Sequence, residues 1–428
     1  MQLPRIPGLP DLFRRSWVPK DIDSIVTVGH EDDPAAAGMT QEGVDRIWRA
    51  AIAAYRTGLY PALQICVRRE GVVVLDRAIG HASGNGPDDS RDTEKVLATP
   101  DTPFLTYSAS KGITAAVIHM LIDRGELGLH DRISTYIPEY GCLGKESITI
   151  GQVLSHRAAV QQIPEGISPD HWHDREFIVD ALCRIKPAGK PGTYQAYHAL
   201  TGGLILGEVV HRVTGNDIRT VLAKEILEPL DFHWTNYGVA PESTDQVARN
   251  YVTGLPLLPP ITHLAQRALG ASYRDVTELG NDPRFLTAIV PSGNLVSTAN
   301  ELSRFYEILR RGGEMDGVRM MSPETLRQAL VEQGKFQPDF TLGVNFRFGF
   351  GFMQGGKRVS LFGPDTVRAF GHLGFINIAG WADPQRALSA AVMTSGKPFL
   401  QYDTTRFFAL ILAIRNASPK VDPGDILF

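Results

Sequence analysis

One run constrains the fold of this chain more than any other: Phe104-Leu-Thr-Tyr-Ser-Ala-Ser-Lys-Gly-Ile-Thr-Ala-Ala-Val-Ile-His-Met-Leu-Ile-Asp-Arg-Gly125. From residue 113 to 122 it is almost unbroken apolar sequence. That predicts a helix buried on most sides and stopped at Gly125, where a left-handed cap residue is wanted. Such a helix is a core pillar, and the remaining chain must supply the layers that cover it. Ser108 and Lys111 stand at its first turn. A spacing of three puts two helical side chains on one face, about 5–6 Å apart at Cβ, within reach of an amine–hydroxyl hydrogen bond. The helix start adds unpaired backbone N–H groups and a positive dipole end, which stabilise a developing oxyanion and help keep a nearby lysine uncharged. A serine nucleophile served by a lysine base needs this geometry.

With 428 residues, 43% hydrophobic and 21% charged, the chain can bury a large core and is expected to form two lobes. A formal net charge of −4 and the lack of any Lys/Arg run argue against a nucleic-acid partner. Residues 1–20 carry Pro4, Pro7, Pro10, Arg14 and Arg15 without the apolar centre of a signal peptide. No later stretch supplies the ~20 apolar residues that span a bilayer. These features predict a cytoplasmic protein with no integral membrane segment. Cys66, Cys142 and Cys183 are odd in number and lack metal-type spacing, which argues against a disulfide framework, and Cys66 reads as a small core hydrophobe.

The chain divides into a Pro-rich arm without regular structure (1–37), a first α/β part (38–130), a mostly helical lobe (131–282) and a second α/β part (283–428). In the first α/β part, Thr40 caps a helix whose Val44, Ile47, Trp48, Ala51 and Tyr55 form one stripe ending at Gly58. Residues 62–68 and 72–79 read as a hairpin turning at Glu70-Gly71. In the helical lobe, 149–155, 174–185, 199–214 and 217–227 are the helix candidates, the third with Gly202, Gly203 and Gly207 for close packing. Residues 255–269, interrupted by Pro259-Pro260, read as a lid, a pocket wall or an ordinary apolar loop. Beyond an amphipathic helix at 297–311, strands are expected at 342–353, 367–372, 376–382 and 388–394. A last helix at 403–414 should offer Phe407, Phe408, Ile411 and Leu412 to the sheet. The expected fold class is α+β: one antiparallel sheet flanked by helices, with the helical lobe inserted at an edge.

Three segments carry chemistry. Ser108-Ala-Ser-Lys111 is of the S-x-x-K type; alone it is a weak signal, and its place at the mouth of a buried helix strengthens it. Ser110, next to the lysine, faces elsewhere. In Pro191-Gly-Thr-Tyr-Gln-Ala-Tyr-His-Ala199, Tyr197 precedes a helix and can relay a proton, although by itself it reads as a packed aromatic with a wet hydroxyl. In Gly371-His-Leu-Gly374, the glycines allow close approach of a ligand to the backbone, and the N–H of Phe375 can face a carbonyl oxygen. His372 by itself is more often a structural histidine. His171-Trp-His-Asp174 has no further ligand cluster and reads as a solvated loop, so no metal is expected. His156-Arg157 reads as a stabilising pair for the inserted lobe.

Taken together and in this order, the segments resemble the serine β-lactamase and penicillin-binding-protein superfamily, most closely its class C-like carboxylesterases of family VIII type. The resemblance extends through Val153-Leu-Ser-His-Arg-Ala158, Tyr197-His-Ala-Leu-Thr201, Gly207-Glu-Val-Val210, Pro291-Ser-Gly-Asn-Leu-Val-Ser297 and Trp381-Ala-Asp-Pro384, covering roughly residues 40–415. It implies Ser108 as nucleophile, Lys111 as its base, Tyr197 as the proton shuttle to the leaving group, and His372 on the strand closing the site. The backbone N–H groups of Ser108 and Phe375 would form the oxyanion hole.

Two departures bear on activity. The β-lactamases have Tyr-x-Asn where this chain has Tyr197-His198-Ala199, and Lys-Thr-Gly where it has His372-Leu373-Gly374. A histidine, with an ordinary pKa of about 6.5, is largely neutral at pH 7, so the site should favour uncharged esters over acidic β-lactams. Leu373 and Phe375 make the strand edge apolar, which suits an acyl chain. The expected activity is therefore a carboxylesterase or lipase acting on short to medium acyl esters through an acyl-enzyme, with a small-molecule substrate and no cofactor. The alternatives are a β-lactamase or D-Ala-D-Ala peptidase, or a non-catalytic scaffold of the same fold. The oligomeric state is left open, and the G-x-S-x-G elbow of an α/β-hydrolase is absent.

Overall fold

The computed structural model describes residues 11–426 apart from 165, 258, 260–261, 264–265, 267–268, 335–336 and 400–401. Its centre is an eight-stranded antiparallel sheet: β1 (Val26–Val28), β2 (Ala62–Arg69), β3 (Val72–Ser83), β4 (Val96–Leu97), β5 (Met353–Gln354), β6 (Phe370–Leu373), β7 (Ala379–Asp383) and β8 (Leu388–Thr394). The order is β1-β3-β2-β8-β7-β6-β5, with β4 paired to β3. The N- and C-terminal parts of the chain meet at β2 and β8, in register from Leu63 opposite Thr394 to Arg69 opposite Leu388. The β2–β3 turn has Glu70 at φ 55° and Gly71 at φ 86°. Two left-handed central residues match the natural twist of a hairpin, which is why Glu-Gly is a good turn here.

Among the described residues, six longer helices cover the sheet or build the lobe beside it: α1 (Gln41–Tyr55), α2 (Ser110–Asp123), α3 (Arg175–Arg184), α4 (Thr201–Thr214), α5 (Ala299–Arg310) and α6 (Tyr402–Ala417). Helices α1 and α6 pack on each other over one face of the sheet, while α2 and α5 lie on the other. The Thr40 hydroxyl accepts from the Gly43 N–H at 3.1 Å and starts α1. Every residue of α2 from Ser110 to Leu121 is buried, and Gly125 ends it at φ 72°. The pillar expected from the sequence is the pillar observed, and the α+β class with an antiparallel sheet holds.

The structure departs from the sequence reading at four places. The N-terminal arm is not without regular structure, because β1 pairs with β3 and extends the sheet edge. The expected strand at 342–353 is two short pieces, Asn345–Phe346 and Met353–Gln354, since Gly343 (φ 72°) and Gly351 (φ 98°) take left-handed conformations that no strand continues. The strand expected from 376 starts at Ala379, because Ile376 (φ 49°) and Asn377 (φ 60°) turn the chain and close a tight loop from β6 to β7. Helix α6 buries Phe407, Leu410, Ile411 and Ile414, whereas Phe408 and Leu412 are each 38% exposed.

Within 131–282 the helical candidates all appear, shorter than expected. Thr149 and Gln152 form a reciprocal capping box at Ile150–Leu154, and Ile218–Leu222 widens into a π-turn at Ala223–Leu227. The few strands here include Asn236–Tyr237, which joins Leu295–Ser297 and Phe104–Leu105 in a small sheet ahead of α2. Among the described residues no helix is long and apolar enough to cross a membrane.

Candidate active site

The short strand Phe104–Leu105 delivers the chain to a 3-10 turn, Tyr107–Ala109, that runs directly into α2. Ser108 therefore sits in the turn before the helix rather than inside its first α-turn. Tyr107, at φ 48°, is a bulky residue in left-handed conformation, a strained geometry that persists because its surroundings fix it. Those surroundings centre on Ser110. Its hydroxyl donates to the Tyr107 carbonyl and accepts from the Leu295 N–H at 3.1 Å, while the Thr106 hydroxyl donates to the Leu295 carbonyl at 2.9 Å. Ser110 is thus a bolt between turn and strand, and Ser108 is left half-buried at the surface of a cavity.

Lys111 is 7% exposed and has three neighbours for its amine: Ser108 Oγ at 3.1 Å, the Ala199 carbonyl at 2.9 Å and the Ser292 carbonyl at 2.8 Å. Burial pushes its pKa down to about 7. A neutral amine has two N–H groups and one lone pair. The two carbonyls can only accept, so they take both N–H groups, and the lone pair is left facing the Ser108 hydroxyl.

Each carbonyl is placed by its own packing. A Cβ on Gly203 would overlap the Ser292 backbone, and one on Gly207 would meet the Pro291 ring, so these two glycines of α4 let the Pro291-Ser292 loop lie against the helix. The Ser292 hydroxyl accepts from the Gly203 N–H at 2.8 Å and donates to the Leu200 carbonyl at 2.8 Å, and Thr114 of α2 donates to the Pro291 carbonyl at 2.7 Å. Ala199, which the resemblance matches to the asparagine of Tyr-x-Asn, contacts the lysine through its main chain.

Tyr197 meets the same pair. Its phenol interacts electrostatically with the Ser108 hydroxyl, and the Lys111 amine lies 4.9 Å from its ring centroid. Burial first raises the phenol's pKa, with a smaller contribution from Asp339, against a lowering by Ser108, so it keeps its proton at any physiological pH. The loop that carries it is fixed by two residues the sequence reading did not place in the site. Asp339, fully buried, accepts from the N–H groups of Tyr197 (3.0 Å), Thr341 (2.9 Å) and Leu342 (3.0 Å). His156, at φ 57°, accepts from Ala196 N–H through its carbonyl (2.9 Å) and from His198 N–H through Nδ1 (3.1 Å), and its ring stands 4.6 Å from that of Tyr197. An Asp two and three positions ahead of the N–H groups it caps is an Asx-turn signal, and it lay just outside the stretch read as a strand. Nothing local pointed His156 at a tyrosine 41 residues on.

The Gly371-His-Leu-Gly374 segment also comes to this turn. A Cβ on Gly374 would overlap the Thr106 carbonyl, so only glycine lets the end of β6 approach the residues preceding Ser108. Phe375 follows in the β6–β7 loop. Its ring packs at 5.2 Å from Tyr107 and 5.0 Å from Tyr273, it lines the cavity with Ser108, and its N–H has no acceptor among the described residues. His372 was expected to face the substrate, but it is fully buried. Its Nδ1 bonds its neighbour's carbonyl at 2.7 Å, its ring lies 6.4 Å from Tyr197, and it does not line the cavity. Burial first, then the Lys111 charge, pushes its pKa down to about 3. Leu373 packs with the core on the α1/α6 side and does not line the cavity.

The cavity beside Ser108 holds about 440 Å³. Its apolar lining includes Ile163, Ile167, Pro169 and Trp172, with Leu269, Val276 and Leu279, and Phe285 and Leu200. Of the segment 255–269, read as a lid, a pocket wall or an ordinary apolar loop, Leu269 lines this cavity, and several other residues of it lie outside the described ones. The charged lining is acidic, Asp275, Glu278 and Asp282, and among the described lining residues there is no lysine or arginine. The His171-Trp-His-Asp174 stretch is structural: His171 stacks on Phe177 at 4.0 Å, and Asp174 caps α3.

A serine in hydrogen-bond contact with a buried lysine, at the mouth of a buried helix packed on this sheet, defines a serine hydrolase of the β-lactamase fold. The chain belongs to the Beta-lactamase family, whose sequence profile matches residues 48–414. It is similar to "Esterase/beta-lactamase LipL" of Mycobacterium tuberculosis, 29% identical over 336 residues, 75% of this chain and 76% of that protein. Among solved structures it is similar to a penicillin-binding-protein homologue from Caulobacter crescentus (TM-score 0.76, 25% identity, 89% of this chain and 99% of the other). It is also similar to a family VIII carboxylesterase (TM-score 0.74, 25% identity, the same coverage). The family expected from the sequence motifs is the family found.

Proposed function

We propose that this protein is a carboxylesterase that cleaves uncharged esters of short to medium acyl chain through an acyl-enzyme on Ser108. The observation that carries the reading is the convergence of Ser108, Lys111 and Tyr197 at the edge of an apolar cavity that offers no cation among its described lining residues. Lys111 takes the Ser108 proton through its lone pair, and Ser108 Oγ attacks the ester carbonyl. The oxyanion is held by the Ser108 and Phe375 N–H groups. Tyr197, kept protonated, donates toward the departing alkoxide and is reprotonated by Lys111; water then resolves the acyl-enzyme. A substrate carboxylate would enter a site whose charged lining is acidic, which disfavours β-lactams and D-Ala-D-Ala peptides.

The direct test is a side-by-side assay of butyrate and octanoate esters against a chromogenic cephalosporin on one preparation. The expected result is ester turnover exceeding cephalosporin turnover by at least about 10²-fold in kcat/KM; a ratio near one would replace esterase with β-lactamase. The tyrosine has its own signature. Tyr197→Phe should lower kcat about 10²-fold on alkyl esters, whose alkoxide needs a proton, and much less on p-nitrophenyl esters, whose phenolate leaves unaided. Equal losses on both would move the proton transfer to another group.

A further inference from the structure

Two of the three cysteines, far from Ser108 in sequence, share one pocket of polar contacts. Cys142 follows the turn Pro138–Tyr140, and Cys183 stands in the last turn of α3; both are partly exposed. The Cys142 thiol donates to the Cys183 carbonyl at 3.3 Å across 41 positions of sequence. Between them lies Lys145, fully buried, whose Nζ donates to Cys142 Sγ at 3.6 Å and to the carbonyls of Cys183 (2.8 Å) and Ile185 (2.7 Å). The Tyr140 ring lies 5.1 Å below that amine, and its buried hydroxyl has no hydrogen-bond partner among the described residues. The proposed chemistry does not use this arrangement. The Cys142 sulfur is thus held by a buried lysine in direct contact with the Cys183 main chain, which brings the two cysteines side by side.

We propose that Cys142 and Cys183 are a reversible oxidation site, closed to a disulfide by a small-molecule disulfide such as oxidised glutathione. Cys142 attacks first as thiolate, helped by the N–H of Lys145. Its sulfur bonds one glutathione sulfur, the glutathione S–S bond breaks, and one reduced glutathione leaves. Cys183 then attacks the Cys142 sulfur of that mixed disulfide, its proton passes to the departing second glutathione, and the protein has lost two hydrogens while one disulfide has become two thiols. Burial pushes the Cys183 thiol up to about 11, so it is the poorer attacker of a free disulfide, and its turn comes once the mixed disulfide is held beside it. The bond would close the loop that contains Ile163, Ile167, Pro169 and Trp172, which line the cavity beside Ser108.

The test uses the full chain incubated with oxidised glutathione. The expected product is lighter by two hydrogens, gives a linked Cys142–Cys183 peptide, melts a few degrees higher, shows slower amide exchange over residues 163–172, and reverts with dithiothreitol. Cys66→Ser should behave as wild type. Cys183→Ser should stop at one glutathione on Cys142, and Cys142→Ser should react at least about tenfold more slowly. Lys145→Met should slow the first step by a similar factor; if it fails to fold, the two serine variants still decide. Two separate glutathione adducts with no internal link, a link through Cys66, or equal rates for the two serine variants would overturn the assignment.

Discussion

Ser108→Ala is expected to lose at least about 10⁴-fold in kcat on p-nitrophenyl esters and all labelling by a fluorophosphonate probe. The hydroxyl is the only part of the side chain that alanine lacks. It sits half-buried at a cavity surface, so its removal creates no core void and should leave the melting temperature within about a degree of wild type. Ser110 is the internal control. It is buried and bolts Tyr107 to Leu295, so Ser110→Ala should cost stability, about 1–2 kcal/mol for a broken buried hydrogen-bond set, while the probe still labels the protein. Labelling that survives Ser108→Ala would place the nucleophile elsewhere and end the proposed mechanism.

Lys111→Met is the second large effect, an expected fall of about 10³-fold in kcat, because the thioether fills the same buried space but has no lone pair basic enough to take the serine proton. Wild-type pH dependence tests the same group without a mutation. The amine must be neutral to act as a base, and its pKa lies near 7. The working form is therefore depleted below that pH: kcat/KM should fall about tenfold for each unit of pH well below 7 and level off above it. The sign is fixed by the role. A lysine that worked as a cation would give activity that declines, rather than rises, through the same window. Tyr197, with its pKa raised, adds no second limb in the physiological range, and His372, near 3, adds none above pH 5.

The parts of this fold that a reader of the sequence can find are those set by local pattern. The α2 pillar, the Glu70-Gly71 hairpin and the 388–394 strand are each written in one contiguous stretch, and Ser108, Lys111 and Tyr197 sit at recognisable spacings around it. What was not legible depends on contacts between distant segments. His372 is buried among distant segments, with the rings of Tyr197 and Phe348 within 6.4 Å, and no property of Gly-His-Leu-Gly announces which side of a strand will be covered. The left-handed turn at Ile376 runs against the preference of a β-branched residue, so propensity extended the strand through it. Asp339 and His156 act on Tyr197 from 142 and 41 positions away, and only the folded chain brings them there.

The two main-chain oxygens that hold the Lys111 amine come from segments 93 positions apart, one just before α4 and one pressed into its glycine notch. The proton affinity of the base is thereby tied to the packing of a helix that no substrate touches. Substitutions that loosen that notch would register first as a displaced acid limb in the rate profile, with substrate affinity intact. For anyone reshaping this enzyme, titration is then a more sensitive gauge of remote disorder than binding.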